Sequence, residues 1–169
     1  NISPGTEFME KLSDALLAEM KRKAFSTHNN QMQTVLSYSN VPGEGEHKFM
    51  GFIREMKKKP DTENASVFIY GKDADLIVLA TSTHKNNSFI VREVAAETDS
   101  DLRRQYETSE FLAINIDNLR IGFYNDLTRT LRTDGVKYEP EKVLNDYIFL
   151  TFLVGNDFVM SMHFLKIRK

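Results

Sequence analysis

At 169 residues the chain is about one domain long, on a usual ~100–200 residues per domain, and its 41% hydrophobic content can bury a core, which excludes a wholly disordered tail. The 22 Lys+Arg against 24 Asp+Glu leave a net charge of −2, which argues against coating nucleic acid by bulk positive charge while allowing a local basic groove. The absence of cysteine excludes a disulfide scaffold, a thiolate zinc site and a cysteine nucleophile, and it fits a reducing, intracellular compartment.

The amino terminus, Asn1 to Met9, carries neither the basic nor the apolar region of a signal peptide, and it does not begin with Met, so the chain reads as a piece of something longer. No apolar run approaches the ~18 residues that span a bilayer, and no membrane association is expected. Thr6 can cap a first helix with apolar positions Phe8, Met9, Leu12, Leu16 and Met20; Lys21, Arg22 and Lys23 complement the dipole at its end. A short strand is predicted at Thr34–Ser39, closed by the turn signal Asn40-Val41-Pro42-Gly43. A second helix is predicted from Glu44 to Lys59, with a buried stripe of Phe49, Phe52, Ile53 and Met56 and a stop at Pro60.

Val67-Phe68-Ile69-Tyr70 is a continuous apolar run, as expected of a strand covered on both faces of a parallel sheet. It passes through Gly71-Lys72-Asp73-Ala74-Asp75 into a helix beginning with Leu76 to Ala80. Phe89–Val94 is the next strand candidate. The charged segment 96–110 reads as an exposed loop or insertion, and Phe111–Ile116 as a strand or as the lead-in to a helix near Asp117. A strongly apolar helix runs from Pro140 to Val154 and closes at Gly155. Strands alternating with helices define an α/β fold with a mostly parallel central sheet flanked by helices.

The carboxylates fall at meaningful places in this pattern. Glu44 and Glu46 open a helix, Asp73 and Asp75 follow a strand, and Asp157 follows a buried helix; ligands of open α/β sheets gather beyond the carboxyl ends of the strands. Glu46 extends the apolar stripe of its helix, a costly position for a carboxylate unless something positive meets it. Asp73 and Asp75, two apart, would share one side of an extended segment. Taken singly, each group has a plainer reading as a dipole complement, a turn or a helix cap; together they point to a metal site. Hard oxygen donors without clustered His suit Mg²⁺ or Mn²⁺ better than zinc. Two such ions about 4 Å apart activate a water and stabilise the leaving oxygen of a phosphodiester. His47 and Lys48 beside the acidic pair are candidate substrate contacts. Lys57–Lys59 read as a solvated helix end, His84 and His163 lack ligand spacing, and the scattered tyrosines form no base-stacking platform.

Val41-Pro42-Gly43-Glu44-Gly45-Glu46-His47-Lys48 resembles the PGEGEHK signature of the XRN family of 5′→3′ exoribonucleases. Asn1 to Met9 is similar to that family's NxITPGTxFM segment, Tyr70 to Leu76 to its YGxDADL, Val91-Arg92-Glu93 to a following RE, and Phe152 to Phe158 to its FLVGNDF. The likeness runs over nearly the whole chain and is weakest at 96–110. It implies a PIN-like nuclease core related to flap endonucleases, here in part and on the carboxyl side of the nuclease domain. It also implies metal-site residues Glu44, Glu46, Asp73, Asp75 and Asp157, and stepwise removal of nucleotides from RNA bearing a 5′-monophosphate. Two ions are expected in the complete protein. Family members carry a further amino-terminal segment with additional acidic ligands and the groups that hold the 5′-phosphate, so a missing segment or a partner chain is expected to complete the site, and residues 1–169 alone to be inactive. After Asn156-Asp157-Phe158 the family continues Leu-Pro-His, where this chain has Val159-Met160-Ser161, and Glu7 stands where proline is common. Two other readings stay open: an inactive XRN-like binding or structural module in a larger assembly, and a flap-type endonuclease. Retention of all five carboxylates favours the enzyme, and PGEGEHK speaks against the flap type.

Overall fold

The first helix, α1, spans Glu7–Ser26 in a computed structural model that describes residues 2–26, 33–93, 110–129, 135, 137–155 and 159–164. The Glu10 N–H donates to the Thr6 carbonyl at 3.1 Å, so the helix starts where the sequence places its cap. The chain divides into two units, 1–49 and 50–169, and the division falls inside α2 (Gly45–Lys58).

In the first unit, residues 34–39 form no strand, contrary to the expectation from their apolar content. Among the described residues the first unit offers no strand for them to pair with. Instead Leu36 and Tyr38 line the same groove as Met9, Leu12 and Leu16 of α1, and Ser13 Oγ lies 3.3 Å from Ser39 Oγ. The turn after them is as expected, with the Val41 N–H donating to the Tyr38 carbonyl at 3.0 Å.

In the second unit α2 buries Met50 and Ile53, while Phe52 is 51% exposed. The buried stripe is thus rotated from the expected one: Met50 takes the place assigned to Phe52, because the tertiary partners rather than the helix period choose the face. The helix ends at Lys58 ahead of Pro60, and Thr62 Oγ1 donates to the freed Met56 carbonyl at 2.8 Å.

Strand β1 (Val67–Tyr70), helix α3 (Asp75–Ser82) and strand β2 (Ser88–Glu93) make a βαβ unit with parallel pairing, Tyr70 opposite Val91. Strand β3 (Phe111–Asn115) joins β2 antiparallel, Glu93 opposite Phe111, and leads directly into α4 (Ile116–Arg129), so both readings of that segment are realised in succession. Helix α5 (Pro140–Leu153) follows. Segment 96–110 lies outside the described residues except for its last position, as does Val94. The sheet order is β1-β2-β3, with helices packed on the face that carries Val67, Ile69 and Ile90; Leu76, Ala80, Ile116, Leu144 and Ile148 complete this core.

Strand β1 is not covered on both faces, as its composition suggested. Its pattern alternates, with Phe68 64% and Tyr70 61% exposed. These aromatic rings pack sideways instead: Phe68 stacks on Phe89 at 5.0 Å and Tyr70 meets Phe111 edge-on at 6.2 Å.

A buried lysine holds the turn that returns the chain from α3 to β2. Lys85 is 1% exposed, and its ammonium donates to the carbonyls of Ala65 (2.5 Å) and Asn86 (3.0 Å). From α4, Asp117 accepts the Asn87 N–H at 2.8 Å and pairs with Arg120 at 2.5 Å, and Arg120 also reaches Asn86 Oδ1 at 3.0 Å. The turn residues His84 and Asn87 have φ of 48° and 57°, a left-handed conformation that this network holds in place.

Candidate functional site

Glu44 and Glu46, in the first unit, sit where a turn sets up a helix start. Gly43 has φ 97°, open to glycine and disfavoured for other residues, and it delivers Glu44 to the cap position, where its carbonyl accepts the Lys48 N–H at 3.1 Å. Glu44 is exposed and Glu46, in the first turn, is half-buried. His47 is exposed; the Lys48 ammonium turns back to donate to the Tyr38 carbonyl at 3.2 Å. Glu44 and Lys48 also line the groove of about 680 Å³ between α1 and this segment, otherwise walled by Met9, Leu12, Leu16 and Leu36.

In the second unit the end of β1 carries the other pair. The Gly71 N–H continues the ladder to the Val91 carbonyl at 3.2 Å, and a Cβ at Gly71 would overlap Leu76 Cδ1, so glycine here lets the chain turn tightly over a buried leucine. The segment does not run on extended, as the two-residue spacing of Asp73 and Asp75 suggested. Asp73 Oδ1 accepts the Asp75 N–H at 3.2 Å, Ala74 is helical at φ −70° and ψ −31°, and Asp75 is the first residue of α3. An aspartate that bonds the backbone two residues on curls the chain, and this one starts the helix. Asp73 is exposed and Asp75 half-buried, both beyond the carboxyl end of β1.

Beside them lies a trio whose grouping sequence reasoning missed. Glu93, at the end of β2, accepts the Tyr70 hydroxyl on Oε1 at 2.5 Å and pairs through Oε2 with the Lys72 ammonium at 2.7 Å. Lys72 first, and then the Tyr70 hydroxyl, hold the Glu93 carboxyl below its ordinary range. Glu93 in turn raises the Lys72 ammonium and the Tyr70 phenol above theirs. The pairing of Tyr70 with Val91 brings the ends of β1 and β2 together and so places Glu93 near Tyr70 and Lys72, but register is not readable from either strand alone.

The donor set suits a hard divalent cation. In the second unit Asp73 and Asp75 supply carboxylate oxygens, and among the described residues neither has an ion pair; in the first unit Glu44 is a donor of the same kind, also without an ion pair among the described residues. No three acidic or histidine side chains gather into a metal-holding group among the described residues. Asp157 lies outside the described residues. Its leading glycine is described: Gly155 has φ 101° and closes α5, as the sequence indicates. No helix among the described residues is long and apolar enough to cross a membrane.

The fold is an α/β sheet flanked by helices, with carboxylates at a strand end and a helix start. The family model described as the XRN 5′-3′ exonuclease N-terminus matches residues 1–94, and the chain belongs to that family. It is 38% identical over 174 residues to 5′-3′ exoribonuclease 2 of Yarrowia lipolytica, covering 99% of this chain and 16% of that protein. It is 34% identical over 172 residues to 5′-3′ exoribonuclease 1 of Saccharomyces cerevisiae, covering 100% of this chain and 11% of that protein. The 5′-3′ exoribonuclease 2 homolog of Caenorhabditis elegans is 33% identical over 196 residues, covering 99% and 20%. The chain therefore spans a fifth or less of these curated relatives. The family is one of hydrolytic nucleases, generally metal-dependent, and these relatives act on RNA.

Proposed function

We propose that this chain is part of a 5′→3′ exoribonuclease that hydrolyses the phosphodiesters of 5′-monophosphorylated RNA. The observation that carries the reading is the placement of Asp73 and Asp75 beyond the carboxyl end of β1 with no cationic partner among the described residues. Asp75 is half-buried, and a carboxylate partly withdrawn from water without a counter-ion gains from a ligand that supplies positive charge. The similarity of the whole chain to named exoribonucleases supports the same conclusion.

In this reading Glu44, Glu46, Asp73, Asp75 and Asp157 hold Mg²⁺ or Mn²⁺. Two such ions, when bound, supply an activated water and stabilise the leaving oxygen. The protein's own part is to fix the donors: the Asp73–Asp75 hydrogen bond orients one carboxylate and anchors the other to a helix start, and the turn at Gly43 fixes Glu44. His47 and Lys48 lie beside the acidic pair to meet the RNA. Residues beyond this chain, in the same protein or a partner, complete the metal set and hold the 5′-phosphate. An inactive structural module is the second reading, and Val159-Met160-Ser161 in place of the family's Leu-Pro-His favours it.

The test uses labelled RNA and the full-length protein. Processive loss of nucleotides from a 5′-monophosphate end, with a 5′-triphosphate end resisting, is the expected result; internal cuts or 3′ trimming would overturn the assignment. Residues 1–169 alone should show no measurable activity, because misplacing reacting groups by about 1 Å costs on the order of 100-fold. Activity regained on adding the remaining segment in trans supports the enzyme, and a complete protein that stays inactive moves the conclusion to the module.

A further inference from the structure

Lys72 precedes Asp73 directly, and its long side chain is 72% exposed. A flexible ammonium next to two carboxylates that have no ion pair among the described residues is their natural counter-ion, and a lysine seated there competes with any divalent cation for the same oxygens. In this structure it is held elsewhere. The last register pair of the parallel strands is Tyr70–Val91, and just beyond it Glu93 takes the Lys72 ammonium at 2.7 Å across the strand ends. Tyr70, the last residue of β1, donates to the other oxygen of Glu93 and so turns the carboxylate toward Lys72. Both donors and the acceptor lie on the open face of the sheet, next to the Gly71–Asp75 segment.

We propose that Glu93 is a positioning residue that holds Lys72 off the Asp73 and Asp75 carboxylates and so keeps them available to a divalent cation. The inference rests on the reading of Asp73 and Asp75 as cation ligands. It assigns Glu93 no contact with the ion. Its action runs through Lys72, and removing the lysine should make the glutamate dispensable. Because the Lys72–Glu93 pair is exposed, the effect is modest, an expected loss of about 2- to 5-fold in cation affinity.

The experiment measures Mn²⁺ binding to the full-length protein from the electron paramagnetic resonance signal of the free ion, without RNA and without turnover. Glu93→Gln should weaken Mn²⁺ binding by the factor given, Lys72→Met should bind at least as tightly as the parent, and Glu93→Gln with Lys72→Met should regain parental affinity. Glu93→Asp keeps the charge but shortens the reach to Tyr70 and Lys72, and should show an intermediate loss. Parental affinity in Glu93→Asp beside a loss in Glu93→Gln would mark a simple field effect and overturn the proposal. So would an unchanged Glu93→Gln, or a double variant that stays weak. Asp73→Asn and Asp75→Asn separate the two levels of the argument. If both bind Mn²⁺ like the parent, the cation reading fails and takes this proposal with it; if they lose binding while Glu93→Gln does not, only the role of Glu93 is lost.

Discussion

Gly155 and Ser161 approach so closely that a Cβ on the glycine would lie 2.8 Å from both the backbone nitrogen and the Cβ of the serine. The chain passes back over the end of α5 here, and the Met162 N–H donates to the Leu153 carbonyl at 3.0 Å. Gly155 also has φ 101°, so a side chain meets backbone strain and a backbone collision together. Gly155→Ala should destabilise the fold by roughly 2–4 kcal/mol, beyond the usual cost of alanine at positive φ. Urea unfolding measures it, and a change below about 0.5 kcal/mol, the size of an ordinary surface substitution, would show that the return segment yields freely.

Lys85 offers a test of a buried charge held by carbonyls. Its ammonium bonds to Ala65 and Asn86, and its stem is packed out of water. Hydrogen bonds from a charged donor contribute about 1.5–3 kcal/mol each, offset by the desolvation of the ammonium. Lys85→Met, which keeps the stem, should cost about 1–3 kcal/mol, and Lys85→Ala, which also leaves a cavity, more. The same unfolding experiment ranks them; a Met variant more stable than the parent would mean that desolvation outweighs the bonds.

Cation binding should stabilise the native state. A ligand at 100 times its Kd adds about 2.7 kcal/mol to the stability of the domain that binds it. Mg²⁺ or Mn²⁺ in excess should therefore raise the melting temperature of this domain within the full-length protein, and Asp75→Asn should reduce the gain. A melting curve indifferent to both ions, in parent and variant alike, would remove the metal from the account.

The Tyr70–Glu93–Lys72 trio carries a pH signature with opposite signs at its two ends. Ionised Tyr70 would set a phenolate against Glu93, so its pKa is raised by the hydrogen bond to that carboxylate, and its contribution is present below the ordinary phenol range and lost as pH rises through the folded value. Glu93 is held low by Lys72 and then by Tyr70, so its contribution is present above the ordinary carboxylate range and lost as pH falls through the folded value. Following phenolate absorbance in alkali, Tyr70→Phe should remove a late transition and Glu93→Gln should bring it to lower pH. Identical titrations in the parent and Glu93→Gln would show that the pair does not persist in solution.

What the sequence by itself determined here is local chemistry. The turn at Asn40–Gly43, the start of α1 after Thr6, the stop before Pro60, Pro140 at the head of α5 and Gly155 at its end are each encoded within a few residues, because caps and turns are contacts between near neighbours. The signature carboxylates were equally legible, since their meaning lies in residue type and spacing. Tertiary structure alone decided which faces are covered. Phe68 and Tyr70 look like core and stand half open, Met50 rather than Phe52 is buried, and Lys85, a charged residue in an unremarkable turn, is almost fully enclosed. It also decided that Thr34–Ser39 is no strand and that Glu93 meets Lys72. Burial and register depend on partners distant along the chain, and a segment's own composition states what it can pair with, not whether that partner arrives.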